Sequence, residues 1–173
     1  MITSEAVERV RGWFTGRLPQ DWQAGPTTVS VDREEIVVVL DIGDVQTAED
    51  ASPAEAAEAR LGRARAFREE TREQRMRIAR EAEHRFDRKV AWGVTVGDHR
   101  ELFTNIAVPV MTRLRQPQRQ VLDTLVDAGV ARSRSEALAW CVRLVGQHTD
   151  EWLGELREAM SHVADVRAKG PAA

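Results

Sequence analysis

Residues 130–136, Val-Ala-Arg-Ser-Arg-Ser-Glu, gather the side chains of this chain best suited to hold an anion. Ser133 and Glu136 have the S-x-x-E spacing of a capping box, in which a hydroxyl and a carboxylate satisfy the first N–H groups of a helix. A capped N-terminus still leaves free backbone N–H groups and the positive end of the helix dipole, and Arg132 and Arg134 add full charges beside it. The chemistry this points to is binding of phosphate or another anion. Residues 111–135 hold five arginines (Arg113, Arg115, Arg119, Arg132, Arg134) against two acids, Asp123 and Asp127. The whole chain is acidic, with 25 Lys and Arg against 28 Asp and Glu and a formal charge of -3. That balance excludes a protein coated in positive charge for indiscriminate nucleic-acid binding, so any basic surface is local.

Other chemistries find little support. The four histidines, His84, His99, His148 and His162, are scattered, with no HExxH and no Cys/His cluster at ligand spacing. Glu81, Glu83, His84 and Asp87 crowd one stretch, but a charge run on a helix is ordinarily a solvated face. "GVTVGD" has the wrong spacing for a phosphate loop or a dinucleotide fingerprint, and the serine cluster lacks a G-x-S-x-G context. The sequence therefore predicts no catalytic residues, no cofactor and no metal. The single cysteine, Cys141, has no partner for an intramolecular disulfide and is expected as a core thiol in a reducing compartment. No apolar run reaches signal-peptide or membrane-spanning length, so the expectation is a cytoplasmic protein without membrane contact.

The elements that must position the basic corner follow from periodicity. Val7, Val10, Phe14 and Leu18 predict a helix over 4–17 that Pro19 ends. "TTVSVD" and "EIVVVLDI" predict a hairpin. Ala, Asp and Glu dominate the stretch from Gly43 to Ser52, read as a linker, and Ser52 and Pro53 then supply the N-cap and first residue of a helix. Residues 54–86 read as one long arginine-dense helix with a thin stripe of Leu61, Phe67, Thr71, Ile78, Ala82 and Phe86. Over 54–89 there are eleven basic and eight acidic side chains, many at helical spacing, such as Glu69 with Arg72 and Glu73 with Arg77. This helix is expected either to lie solvated across a sheet or to contact phosphates with its uncompensated arginines. "KVAWGVTV" and "ELFTNIAV" around "GDHR" predict a second hairpin with Val90, Trp92, Val94 and Val96 on one face. Together these elements predict an α+β class: a mainly antiparallel four-stranded sheet covered by helices over residues 1–108. Trp13 and Trp92 are assigned to its core, and Trp22 has no face that spacing assigns.

A second unit is expected over 109–173. "VMTRLRQP" reads as a short extended piece, followed by helices at about 117–128, 134–147 and 149–168, with Gly129 in the C′ position of the first and Thr149 capping the third. Val121, Leu122, Leu125 and Val126 form one apolar stripe, and Leu138, Cys141, Val142 and Val145 another. Leu153, Leu156, Met160, Val163 and Arg167 make a short heptad seam, and Trp140 and Trp152 are placed to line a helix interface. Two short helices with wide apolar faces cannot close a core alone, so they need a partner: the N-terminal unit or a second copy.

At "LDTLVDAGVARSRSEALAWCVRL" the chain resembles the ribbon-helix-helix family of DNA-binding proteins, over residues 110–146. The resemblance implies a homodimer in which two copies of the strand "VMTRLR" pair antiparallel and enter the major groove of duplex DNA. It assigns Met111, Arg113 and Arg115 to the groove face, Thr112 and Leu114 to the core, and a bound phosphate to Ser133, Arg134 and Ser135, with Arg132 beside them. Arginine contacts guanine O6 and N7 bidentately, discriminating by about 1–3 kcal/mol, whereas phosphate contacts fix register without reading sequence. A transcriptional regulator is the implied function, its N-terminal module sensing a signal or binding a protein partner. The rival is a scaffold whose helical part dimerises and whose arginine-rich helix binds an acidic protein or RNA.

Overall fold

The computed structural model describes residues 3–169, which divide into two compact units between Val108 and Pro109. The class is α+β: a four-stranded sheet and six helices among the described residues.

In the first unit, α1 spans Ser4–Arg17, its N-cap Thr3 accepting from the Ala6 N–H. The extended backbone of Leu18 and Pro19 ends it. Val10 and Phe14 lie one turn apart and are both buried, which turns this face onto the sheet. Strands β1 (Thr28–Val31) and β2 (Glu35–Asp41) pair antiparallel from Thr28 with Val39 to Val31 with Ile36. Asp32 Oδ1 accepts from the N–H groups of Glu34 and Glu35, closing the turn between them.

The expected single helix over 54–86 is instead two, α2 (Pro53–Glu70) and α3 (Arg72–Phe86). The break is at Thr71, whose hydroxyl donates 2.6 Å to the Phe67 carbonyl. Such back-bonding to the preceding turn bends helices. Ser52 and Pro53 open α2 as expected, Ser52 Oγ accepting from Glu55 N–H. The expected Glu69–Arg72 and Glu73–Arg77 pairs do not form. Within α2, Arg63 meets Glu70 at 3.5 Å, and the shorter ion pairs leave the helices: Arg17 of α1 holds Glu81 bidentately at 2.6 and 2.7 Å, and Arg60 bridges Asp44 and Asp98 at 2.8 and 2.9 Å.

The α2–α3 crossover carries the chain back to the end of the sheet where β2 began, so β3 (Lys89–Val96) joins β2 in parallel, from Glu35 with Lys89 to Asp41 with Thr95. Both outer pairings are antiparallel, as two hairpins require, but the central one is not. The β3–β4 turn needs Gly97: its φ is +59°, and a Cβ there would come within 2.5 Å of the Asp44 carboxylate that Arg60 holds. Strand β4 is only His99–Leu102, shorter than the expected "ELFTNIAV". Pairing stops where the Phe103 N–H donates to the Trp92 carbonyl at 2.7 Å, and the Phe103 ring turns to meet Arg75 and Arg68.

Val90, Trp92, Val94 and Val96 do share the core face, with Ile36, Val38 and Leu40 opposite them. Phe14 stacks edge-on to Trp92, Trp13 packs at the margin against Phe14 and Phe86, and Trp22 is buried edge-on to Phe67. Seventeen buried side chains form this core. At about 1.5–3 kcal/mol for each large apolar side chain removed from water, it can support a domain without help.

Candidate nucleic-acid interface

The second unit is built on α4 (Gln116–Asp127), α5 (Arg134–His148) and α6 (Asp150–Lys169). Pro117 suits the first turn of α4, and Gln118 Oε1 accepts from Arg115 N–H at 2.8 Å. Gly129, at φ +74°, ends α4 as the expected C′ residue, and the Leu125 carbonyl accepts from both Val130 and Ala131. This folds Ala131 inward, where it meets Leu122 and Ala137.

Those three small or medium side chains are the whole buried core of the unit among the described residues. Leu114, Leu125, Val126, Leu138 and Cys141 pack half-buried around them. Cys141 is thus at the edge of a small core rather than inside a large one. The outer parts of both stripes are uncovered, with Val121, Val142 and Val145 each more than half exposed. The α6 seam is uncovered too: Leu156, Met160 and Val163 are exposed, as is Trp152. Thr149 stands directly before α6, its carbonyl accepting from the Leu153 N–H at 2.9 Å, while its hydroxyl donates 2.6 Å to the Val145 carbonyl behind it.

The basic corner forms, with its charges partly spoken for. Ser133 Oγ accepts from Glu136 N–H at 3.2 Å, as the capping box requires. The reciprocal bond falls one residue early: the Glu136 carboxylate accepts from the Arg132 N–H at 2.8 Å and from its guanidinium at 3.2 and 3.3 Å. Arg134 holds Asp123 of α4 in a bidentate fork at 2.6 and 2.8 Å. Hydrogen bonding to these guanidiniums keeps the Asp123 and Glu136 carboxyls below their ordinary range, and the two arginines are held correspondingly higher. All four groups face solvent, so the pairs are weak and exchangeable. Each of the two arginines thus has a carboxylate beside it in the free chain. Asp123 lies eleven residues from Arg134 with no local signal linking them, while Glu136 sits one position beyond the stretch in which the arginines dominate.

What remains open is specific. The Arg134 and Ser135 N–H groups and the Ser135 hydroxyl make no hydrogen bond among the described residues. Neither does Arg113, and the Arg115 guanidinium forms no ion pair there. Arg119 donates to the Leu114 carbonyl at 2.7 Å. Residues 110–113 belong to no strand and make no backbone hydrogen bonds among the described residues. Val110 is 86% and Met111 97% exposed. The expected inward Thr112 is exposed and Leu114 half-buried. A segment with no neighbouring strand has no inner face for a threonine, whereas Leu114 packs against the small core of the unit. Among the described residues no group of His, Cys, Asp and Glu is arranged to hold a metal, and no helix is long and apolar enough to cross a membrane.

Residues 8–102 match the family described as Rv1265-like protein, N-terminal domain, and residues 115–167 match the Mb1296 C-terminal domain. Two mycobacterial relatives, "Uncharacterized protein Rv1265" of Mycobacterium tuberculosis and "Uncharacterized protein Mb1296" of Mycobacterium bovis, are each 63% identical over 159 residues. The match covers 92% of this chain and 69% of each relative. No solved structure matches the chain. With both domain families in register and identity sustained across both units, the chain belongs to the family of Rv1265-like proteins.

Proposed function

We propose that this protein is a cytoplasmic, homodimeric DNA-binding protein that regulates transcription through its C-terminal unit. One observation carries the reading: residues 110–113 are exposed, apolar at Val110 and Met111, and without hydrogen-bond partners, directly before a two-helix unit with too little core. A segment of that kind is an unpaired edge, which pairs readily with a second copy of itself. Pairing two such segments antiparallel makes a ribbon, and dimerisation covers Val121, Val142 and Val145. In that ribbon Met111, Arg113 and Arg115 reach the bases. Ser133, Ser135 and the free N–H groups at the start of α5 take a phosphate, with Arg132 and Arg134 released from their carboxylates to join them.

The paired state of Arg132 and Arg134 in the free chain favours a second reading, in which the C-terminal unit only dimerises and the exposed arginines of α2 and α3 bind an acidic protein or RNA. Binding to fragmented genomic DNA in rising salt, with sequencing of the retained fragments, separates the two. The DNA reading expects a few palindromic or repeated sites and affinity falling steeply with salt. Retention of no DNA even at low salt would overturn it. Arg113→Ala should relax sequence preference, whereas Arg134→Ala should weaken binding to all sequences alike and lower the salt slope by about 1.

A further inference from the structure

A second cationic cluster lies in the N-terminal unit, at the bend between α2 and α3. Arg75 is only 6% exposed, yet no carboxylate among the described residues pairs with it. Its Nε donates to Thr71 Oγ1 at 2.9 Å, and its Nη2 donates to the Arg68 carbonyl at 2.6 Å. The guanidinium lies 4.9 Å from the centroid of the Phe103 ring, with Arg68 5.7 Å from the same ring. These contacts hold the group in place and close the break at Thr71, but they do not neutralise it. Burial, and then the neighbouring charges of Arg68 and Arg72, bring its pKa down to about 10, so Arg75 stays charged at neutral pH.

A buried charge without a counter-ion is costly, and proteins seldom keep one unless something pairs with it. Here the space for a partner is present. A cavity of about 390 Å³ is lined by all three arginines, with Met76 and Phe103 as apolar wall and Glu69 as the acid of its lining. Arg68 and Arg72 are exposed and form no ion pair among the described residues, so they are free to close over what enters. Three guanidiniums suit an acceptor with several oxygens and more than one negative charge, which a phosphoryl group has and a single carboxylate does not.

We propose that this pocket binds a small molecule through a phosphoryl group held by Arg68, Arg72 and Arg75, with Phe103 and Met76 against its carbon skeleton. A small ligand is favoured over a nucleic-acid backbone because Arg75 sits too deep for a phosphodiester flanked on both sides by sugar. The proposal stands independently of the DNA-binding reading.

The test is calorimetry and thermal melting of the full chain with inorganic phosphate and with phenyl phosphate, at matched ionic strength in chloride. One phosphate per chain should bind and raise Tm, with phenyl phosphate binding more tightly because the apolar wall takes its ring. Arg72→Ala, at an exposed position, should leave the fold intact and weaken both ligands by about tenfold or more. Arg75→Lys, which keeps a charge but loses the fork, should weaken them similarly. No binding by the wild-type chain at millimolar phosphate would overturn the proposal. So would affinity unchanged in both variants, or affinity lost instead in Arg134→Ala, which would move the anion to the start of α5.

Discussion

The two units solve the same problem with very different means. Among the described residues, the core of the first unit gathers seventeen buried side chains around a four-stranded sheet, and ion pairs such as Arg17–Glu81 and Arg60–Asp44 tie one part of it to another. The core of the second unit gathers three among the described residues and leaves apolar stripes on three helices in contact with solvent. The first closes its core; the second leaves much of its apolar surface open to solvent. The same contrast governs the arginines. In the first unit Arg75 is enclosed without an acid, and in the second Arg132 and Arg134 lie open with an acid each. Enclosure fixes a charge and awaits a ligand, while an exposed pair trades partners at small cost.

The largest effect expected from this contrast is on stability. Phe14, fully buried between Trp13 and Trp92, loses its contacts in Phe14→Ala, which should destabilise the first unit by about 3–5 kcal/mol. Urea denaturation followed by tryptophan fluorescence measures this, since Trp13, Trp22 and Trp92 all report on that core. A loss under 1 kcal/mol would mean the first core is as loose as the second.

Next is assembly. Val142 and Val145, 65% and 54% exposed, are the positions that the proposed second chain would cover. Changing both to Asp should raise the dimer dissociation constant by roughly a hundredfold or more, as removing anchors from an interface centre does. Sedimentation equilibrium of wild type and variant decides it. A wild-type chain that is monomeric at every concentration would dissolve the comparison, because the second unit would then stand alone after all.

Much of this was legible in the sequence, and the exceptions share a cause. Local signals suffice wherever a few adjacent residues determine the outcome: Ser52 with Pro53 at the start of α2, Gly129 after α4, and the Ser133 hydroxyl at the start of α5. The break at Thr71 escaped because one threonine in an Arg/Glu-rich run barely lowers helix propensity. Its effect comes from a hydroxyl meeting the Phe67 carbonyl. The parallel β2–β3 pair escaped because strand direction is set by the crossover, not by the strands. Of the basic corner, the capping box was readable and its counter-ions were not, since Asp123 reaches Arg134 across two helices. Arg75 was hidden for the same reason: among eleven basic side chains it looks like any solvated arginine, and the Phe103 ring that lies against it comes from a distant part of the chain.

A smaller effect tests the exchangeable pairs. Asp123→Asn removes the acceptor that now occupies Arg134. If Arg134 must leave Asp123 to meet a phosphate, the variant should bind random and specific DNA alike several-fold more tightly, with a salt slope steeper by up to about 1. Filter binding across a salt series measures both. Unchanged affinity would place Arg134 outside the interface and leave Arg113 and Arg115 to account for any binding.

The smallest effect concerns Asp44, whose carboxylate the Arg60 fork holds down to about 2 from an ordinary 3.8. A depressed folded-state pKa means that the ionised carboxylate favours the fold. That contribution is complete above about pH 4 and disappears as the pH falls toward 2, where Asp44 protonates in the folded chain as well. Asp44→Asn removes the dependence, so its Tm should fall less steeply than that of wild type over this window. Above pH 5 the two curves should run parallel. Because Arg60 also holds Asp98 at 2.9 Å, it keeps a partner in the variant, and the fold around Gly97 should persist. Parallel curves throughout the acid range would mean the fork does not hold in solution, and the first unit would then depend on its core alone.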